Sequence, residues 1–216
     1  MDHHSIIEDA KAQVYDFHSS DSTGHDYWHV MRVYNNARMI QSQEGGDRFI
    51  IEVAALFHDM IDYKLTDDEH AQLDGIKAFL SRRGVGADVI ERITHAMQAV
   101  SFKGGNNTVA VESVEDAIVQ DADRLDALGA VGIARTFIYG GNKRHELYHP
   151  DRAAREDLTF EQYSQEDNTM INHFYEKLLR LKNLMHTDTA RSVAEERHRF
   201  MEMYLEQFYQ EWEGKR

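Results

Sequence analysis

Ile50-Ile51-Glu52-Val53-Ala54-Ala55-Leu56-Phe57-His58-Asp59 is the stretch on which the reading of this chain turns. Ile50, Val53, Ala54 and Phe57 recur at helical spacing, so the run predicts an apolar helix that delivers His58 and Asp59 at its end. A neutral imidazole beside a carboxylate offers two ligands to one divalent metal. Two further candidates, His29 and Asp123, sit in the helical segments on either side. The order His, His-Asp, Asp reads as a metal site.

Outward from this run, helical periodicity continues in both directions and no segment shows convincing strand alternation. Val30, Val33, Ala37 and Ile40 form one stripe; Leu73, Ile76, Phe79 and Leu80 form another, stopped by Gly84. Ile90, Ile93, Ala96, Met97 and Val100 predict a helix ending at the breaker cluster Lys103-Gly104-Gly105-Asn106-Asn107. A helix is predicted over Val111 to Leu128, carrying Asp121-Ala122-Asp123-Arg124. Ile171, Phe174, Leu178 and Leu181 mark another, and a longer one runs through Val193, Arg197, Phe200, Met201, Tyr204, Leu205 and Phe208. The expected class is all-α: a single domain over 1–216, its core at about 20–135, with C-terminal helices 169–213 packed on it. From about 140 to 168 the sequence is polar and irregular and holds the chain's one proline, Pro150. A long loop in a compact domain is usually functional or mobile, so a lid near the site is expected there.

Composition narrows the chemistry. The chain has no cysteine, so a thiolate zinc site is ruled out and any metal must be held by His, Asp, Glu, backbone or water. The formal net charge of −14 opposes non-specific binding to a nucleic-acid polymer, but a metal and a few local cations can still draw a small phosphorylated substrate into one cleft. The first residues lack a basic stretch followed by an apolar one, and no window approaches the roughly 18 apolar residues of a membrane span. A cytoplasmic location is the expectation.

The segments His25-Asp26-Tyr27-Trp28-His29-Val30-Met31-Arg32-Val33, Leu56-Phe57-His58-Asp59 and Gln120-Asp121-Ala122-Asp123-Arg124-Leu125-Asp126-Ala127 resemble the three signatures of the HD-domain metal-dependent phosphohydrolase superfamily. More closely, the chain is similar to the bacterial stand-alone subgroup of the YedJ/YpgQ kind. There, Asp121 to Ala130 and the tail segments Leu184-Met185-His186-Thr187 and Ala194-Glu195-Glu196-Arg197-His198 have counterparts. The resemblance implies His29, His58, Asp59 and one Asp of the last motif as ligands. Asp123 is chosen over Asp121 because the liganding carboxylate of related sequences directly precedes the basic residue, here Arg124. Two imidazoles and two carboxylates leave open positions on a six-coordinate Mn²⁺, Mg²⁺, Fe²⁺, Co²⁺ or Ni²⁺.

Open coordination suits hydrolysis. Asp62, three residues beyond Asp59 on the same helix face, is the candidate to orient or deprotonate the attacking water, and related HD hydrolases carry an acid at the matching place. His25, Lys64, His95 and Arg124 are the candidate substrate contacts, although the family's further histidine five positions after His95 is replaced here by Val100. His3, His4, His70, His173 and His186 are expected to serve ordinary polar roles, and Arg32 to be an ion-pair partner.

Two decoys are set aside. His25-Asp26-Tyr27-Trp28-His29 mimics a zincin helix but would leave His58, Asp59 and Asp123 unexplained. Glu195-Glu196-Arg197-His198 lacks the second Glu-x-x-His that a di-iron bundle needs. Phe200, Met201, Tyr204, Leu205, Phe208 and Trp212 at helix-face spacing predict core or a homodimer surface rather than a base-stacking platform.

The expected function is hydrolysis of a phosphate ester or anhydride in a small nucleotide, such as a (deoxy)nucleoside triphosphate split to monophosphate and pyrophosphate. Alternatives are a 5′-nucleotidase, a cyclic-nucleotide phosphodiesterase and, from another class, a nucleotide-sensing module without turnover.

Overall fold

The computed structural model of the chain describes residues 2–19, 21, 24–62, 65, 66, 68–100, 109–155 and 169–215. Among them the ordered elements are helices: α1 (His3–His18), α2 (Tyr27–Glu44), α3 (Arg48–Phe57), α4 (Glu69–Arg82), α5 (Ala87–Ala99), α6 (Val114–Asp126), α7 (Gly129–Lys143), α8 (Met170–Glu176) and α9 (Asp188–Trp212), with 3-10 turns at His58–Ile61 and Leu178–Leu184. The fold is all-α. Helix starts follow local chemistry, since Asp26, Asp47, Asp68, Ser113, Thr169 and Thr187 each accept a bond from a first-turn N–H.

The quoted run forms the centre of the molecule. Every residue of α3 from Phe49 to Phe57 is buried, which marks a helix enclosed on all sides rather than one with a wet face. The one charge in that buried stretch, Glu52, is neutralised by Arg48 at the start of the helix (2.7 Å) and by Arg38 (3.1 Å). α2 packs against both α3 and α6, α5 covers α3 and α6, and α1 lies over α2 and α3. The elements carrying the candidate ligands therefore enclose one another, and Ile40, Ile50, Leu56, Phe57, Ile118 and Leu125 fill the space between them with no exposed surface.

Three expected boundaries shift. α6 begins at Val114 rather than Val111, because Ser113 and Asp116 close a capping box there. The stripe over 171–181 is broken at Lys177 (φ −133°, ψ −62°) into α8 and a 3-10 turn. Leu178 and Leu181 stay buried, because a spacing of three also aligns side chains in a 3-10 helix. α7 runs to Lys143, four residues into the expected loop, and ends at Arg144 in the left-handed region (φ 60°). Residues 145–155 dock on the C-terminal part: Met170 and Ile171 N–H donate to the Glu146 and Leu147 carbonyls, and the Tyr148 ring meets those of Phe208, Tyr209 and Trp212. Residues 156–168 of the loop and the breaker cluster at 103–107 lie outside the described residues. On α9, Met201 and Leu205 are core and Tyr204 stacks on Phe174, so much of that aromatic stripe packs internally, while Phe200 and Trp212 are half exposed.

Gly132 marks a tight approach in this framework. A Cβ there would overlap the Ala127 carbonyl, backbone that cannot rotate away, directly after Asp126. Gly132→Ala is expected to cost about 3 kcal/mol, the upper end for an overpacked site, read as a lowered urea midpoint at unchanged m-value.

Candidate metal centre

Three helices bring four donors together. His29 lies in the first turn of α2, where the Asp26 side chain accepts its N–H (2.8 Å) and so fixes where the helix begins. Asp26 is thus a helix cap, and His25 precedes the helix, which disposes of the zincin reading. His58 and Asp59 open the 3-10 turn that ends α3, and Asp123 stands in the last turn of α6. One donor atom from each of His29, His58 and Asp59 lies within 4.8 Å of the others, and all three residues are buried. His29 Nε2 stands 3.2 Å from Asp59 Oδ2 and 3.5 Å from Asp123 Oδ1; His58 Nε2 stands 3.3 Å from Asp59 Oδ1 and 3.8 Å from Asp123 Oδ1.

These residues fit a divalent ion. Donors about 2.1 Å from a six-coordinate ion stand about 3 Å apart at right angles and about 4.2 Å apart in opposition, the range spanned by the observed separations. Among the described residues His58 Nε2 and Asp59 Oδ2 are buried with no hydrogen-bond partner, which is costly for polar atoms unless a cation satisfies them. Each imidazole is also held by its other nitrogen. His29 Nδ1–H donates to Asp126 Oδ2 (2.7 Å) and His58 Nδ1–H donates to the Ala55 carbonyl (2.8 Å), so both rings present Nε2 to the same point.

Electrostatics agree. Burial and Arg135 push the His29 imidazolium toward neutrality, but the Asp59 and Asp126 carboxylates outweigh them and raise its pKa to about 9. Burial would raise the Asp59 pKa, yet His58 and His29 hold it well below the usual carboxylate range. The site is thus a concentrated negative charge that binds a proton or, better, a divalent cation.

The other expected residues divide. Asp62 closes the 3-10 turn, its N–H donating to the Asp59 carbonyl (3.1 Å), and is partly buried. The His25 ring stands edge-on to His29 with centroids 5.7 Å apart, beside the donors. His95 is engaged elsewhere, its Nδ1 3.0 Å from the capping carboxylate of Asp116. Asp116 is seven residues before Asp123, about 10 Å away along the helix axis. Arg124 donates to the Leu184 carbonyl and lies 3.3 Å from His186 Nε2, tying α6 to the segment before α9. Lys64 lies outside the described residues. Asp121 has both oxygens occupied by the N–H groups of His186 and Thr187 and the Thr187 hydroxyl, facing away from the donors as an anchor for α9.

Two residues escaped the sequence reading. Asp126 receives His29, Arg32 (Nε, 2.7 Å) and Arg135 (Nη1, 3.0 Å) on one buried carboxylate. Its place one turn beyond Asp123 was a usable signal. Arg32 is the ion-pair partner expected of it. The second is His18, at the end of α1, which no spacing singled out.

Comparison with known proteins places this geometry. The HD domain model matches residues 27–128, a span that holds His29, His58, Asp59 and Asp123. The chain is 42% identical over 197 residues to the Bacillus subtilis protein YpgQ, covering 91% of this chain and 88% of that one. The structure of YpgQ in complex with ADP matches with a TM-score of 0.76 at 38% identity, covering 95% and 97% of the two chains. A Lactobacillus plantarum protein matches with a TM-score of 0.85 at 36% identity (97% and 98% covered). A Bacillus thuringiensis HD-superfamily hydrolase matches with a TM-score of 0.76 at 39% identity, covering 98% of each chain. With relatives spanning nearly its whole length and histidine and aspartate donors clustered inside the matched domain, the chain belongs to the HD-domain superfamily of metal-dependent phosphohydrolases.

Proposed function

We propose that this enzyme hydrolyses a phosphate anhydride or ester of a small nucleotide, and that a (deoxy)nucleoside triphosphate cleaved to monophosphate and pyrophosphate is the substrate it serves best. The observation that carries the reading is the buried cluster of His29, His58 and Asp59, with Asp123 Oδ1 3.5 and 3.8 Å from the two imidazoles, and with His58 Nε2 and Asp59 Oδ2 lacking a hydrogen-bond partner among the described residues. ADP bound to YpgQ supports a nucleotide as the phosphorylated ligand. Among the described residues no helix is long and apolar enough to cross a membrane.

His29, His58, Asp59 and Asp123 are the proposed ligands of a single divalent ion; Mn²⁺, Mg²⁺, Fe²⁺, Co²⁺ and Ni²⁺ all suit a nitrogen and oxygen donor set. Such an ion supplies a lowered water pKa and a polarised phosphoryl group. Asp126 and the Ala55 carbonyl fix the two imidazoles in the tautomer that ligation requires. Asp62, one short turn beyond Asp59, is the proposed acceptor of the attacking water's proton. His25 is proposed to meet a phosphate oxygen at the mouth, and Lys64 and His95 to supply contacts farther along the substrate. Arg124, committed to Leu184 and His186, is assigned to holding α6 in place.

The test is metal-reconstituted protein incubated with nucleoside mono-, di- and triphosphates, deoxynucleotides and cyclic nucleotides, with pyrophosphate and inorganic phosphate assayed separately. Pyrophosphate from triphosphates supports the reading. Phosphate from monophosphates would make the enzyme a 5′-nucleotidase, opening of a cyclic nucleotide a phosphodiesterase, and no turnover with any ion would leave a sensor.

The fourth ligand has its own check. Asp123→Ala is expected to lose the ion while melting near the temperature of the metal-free wild type. Asp121→Ala is expected to keep the ion but lose about 2 kcal/mol, because the N–H groups of His186 and Thr187 lose their acceptor. Metal analysis and thermal melts of the pair decide it, and the reverse pattern would move the ligand to Asp121.

A further inference from the structure

His18 ends α1 and is 2% exposed. Its Nδ1–H donates to the His25 carbonyl at 2.6 Å, which fixes the tautomer: Nε2 carries the lone pair and can only accept. Nε2 is buried with no hydrogen-bond partner among the described residues, as are His58 Nε2 and Asp59 Oδ2. A cation accounts for those two. It does not by itself account for His18, whose anchor on the His25 carbonyl leaves the ring's other nitrogen as a separate buried acceptor. Yet the ring is within electrostatic reach of Asp59, His58 and His29, and its anchor is the backbone of His25, whose own ring meets His29.

A buried acceptor beside a phosphohydrolase centre has few chemical partners. Phosphate and carboxylate oxygens are themselves acceptors and cannot satisfy it, and the imidazoles of His29 and His58 spend their N–H groups on Asp126 and Ala55. What remains is an O–H or N–H donor taken up by the site, and at a hydrolytic centre the attacking water is the donor that every substrate has in common. We propose that His18 is a catalytic residue of this centre, whose Nε2 accepts one O–H of that water and so aims its remaining lone pair at phosphorus. The His25 carbonyl is the device that holds the imidazole in the accepting tautomer, and α1 thereby becomes part of the site rather than a cover for it. This assignment rests on the hydrolytic reading above.

Asparagine and glutamine separate the two nitrogens. His18→Asn keeps an N–H where Nδ1 donates to His25 but puts nothing at Nε2; His18→Gln places an oxygen acceptor near Nε2 and gives up the anchor. For His18→Asn the expected result is a kcat lowered about 100-fold, the scale of one misplaced proton-handling contact, with KM and the Mn²⁺ dissociation constant within about threefold of wild type. Water-proton relaxation of the Mn²⁺ protein should report a shorter-lived ordered water in His18→Asn. His18→Gln should recover about tenfold of the lost kcat. An unchanged kcat with unchanged relaxation in His18→Asn overturns the proposal in favour of a structural cap. Mn²⁺ binding weakened by more than about 100-fold overturns it in favour of a direct ligand. If His18→Asn does not fold, His18→Gln carries the test: kcat below about a thousandth of wild type with normal Mn²⁺ affinity counts against the acceptor role. Relaxation is read without substrate, so a wild-type protein that turns over no nucleotide fails the functional reading separately from this one.

Discussion

His58→Ala is expected to fold, to retain less than about a tenth of an equivalent of divalent metal, and to lose at least about 10³ in kcat/KM, because an ion whose stabilisation of the transition state amounts to several kcal/mol is gone. The argument for a preserved fold is local. Nδ1 of His58 donates to the Ala55 carbonyl within its own turn of chain, so truncation removes one short-range bond and leaves the residues around α3 in place. The ion loses one of two imidazoles whose direction is fixed in advance, and the remaining donors, His29, Asp59 and Asp123, bring two negative charges with only one ring to share them. Two measurements separate these effects. Elemental analysis after gel filtration reports metal content. Thermal melts with and without Mn²⁺ report whether the ion still stabilises the fold by mass action: the wild type should gain several degrees with saturating Mn²⁺ and the variant none. A variant that keeps both its metal and its Mn²⁺-dependent melting shift would falsify the assignment of His58 as a ligand.

The same comparison shows why some of this site is legible in a bare sequence and some is not. His58 and Asp59 stand at the end of an apolar run that is helical by spacing and buried by composition, so charge there needs a partner and draws the eye. His29 is readable from the order of the motifs. The carboxylates of α6 are harder, since Asp121, Asp123 and Asp126 lie within six residues. Successive residues of a helix turn by about 100°, so Asp121 and Asp123 diverge by about 200° and face opposite partners, whereas Asp123 and Asp126 share a face. Asp121 turns to Thr187, Asp123 to the donors, and Asp126 to the far nitrogen of His29. The wheel sorts them into faces but does not say which neighbour each face meets. His18 is illegible for a further reason: its role depends on the backbone of His25 meeting it across a turn, and no side-chain pattern encodes the direction of a carbonyl. The break at Lys177 hides likewise, because a stripe with a period near three fits the α-helix before it and the 3-10 turn after it.

Asp126→Ala is expected to be the most destabilising single change near the site, at about 3–5 kcal/mol, the cost of removing one partner from a buried ion-pair network. Asp126 is 2% exposed and accepts four bonds, from His29, twice from Arg32, and from Arg135, whose Nε also reaches back to the Gly24 carbonyl at 2.9 Å. Arg135 is itself largely enclosed, so the lost carboxylate strands a guanidinium that water reaches poorly, while Arg32, about a third exposed, recovers part of its solvation. Asp126→Asn keeps the shape and one acceptor oxygen but not the charge, and should cost less, about 2–3 kcal/mol. Its second effect is on the ion: with the Nδ1–H of His29 held by a neutral amide, metal affinity should fall about 10–100-fold, whereas Gly132→Ala, which strains the neighbouring backbone, should lower stability more than affinity. The pH dependence carries a definite sign. Burial would raise the Asp126 pKa, but hydrogen bonds from His29 and Arg32 and the charges of His29 and Arg135 hold it far below that of a free carboxylate. A group depressed in this way contributes stability that is fully present above its unfolded pKa of about 4 and is lost as pH falls toward its folded value. The stability gap between wild type and Asp126→Asn, measured by urea titration in metal-free buffer, should therefore be widest near neutrality and narrow as pH drops from about 5 to about 3. Asp126→Glu then separates charge from position. It restores the negative charge to the two arginines but carries it one methylene too far for the His29 bond, so stability should recover more fully than metal affinity does; equal recovery of both would mean that Asp126 serves the site by charge alone.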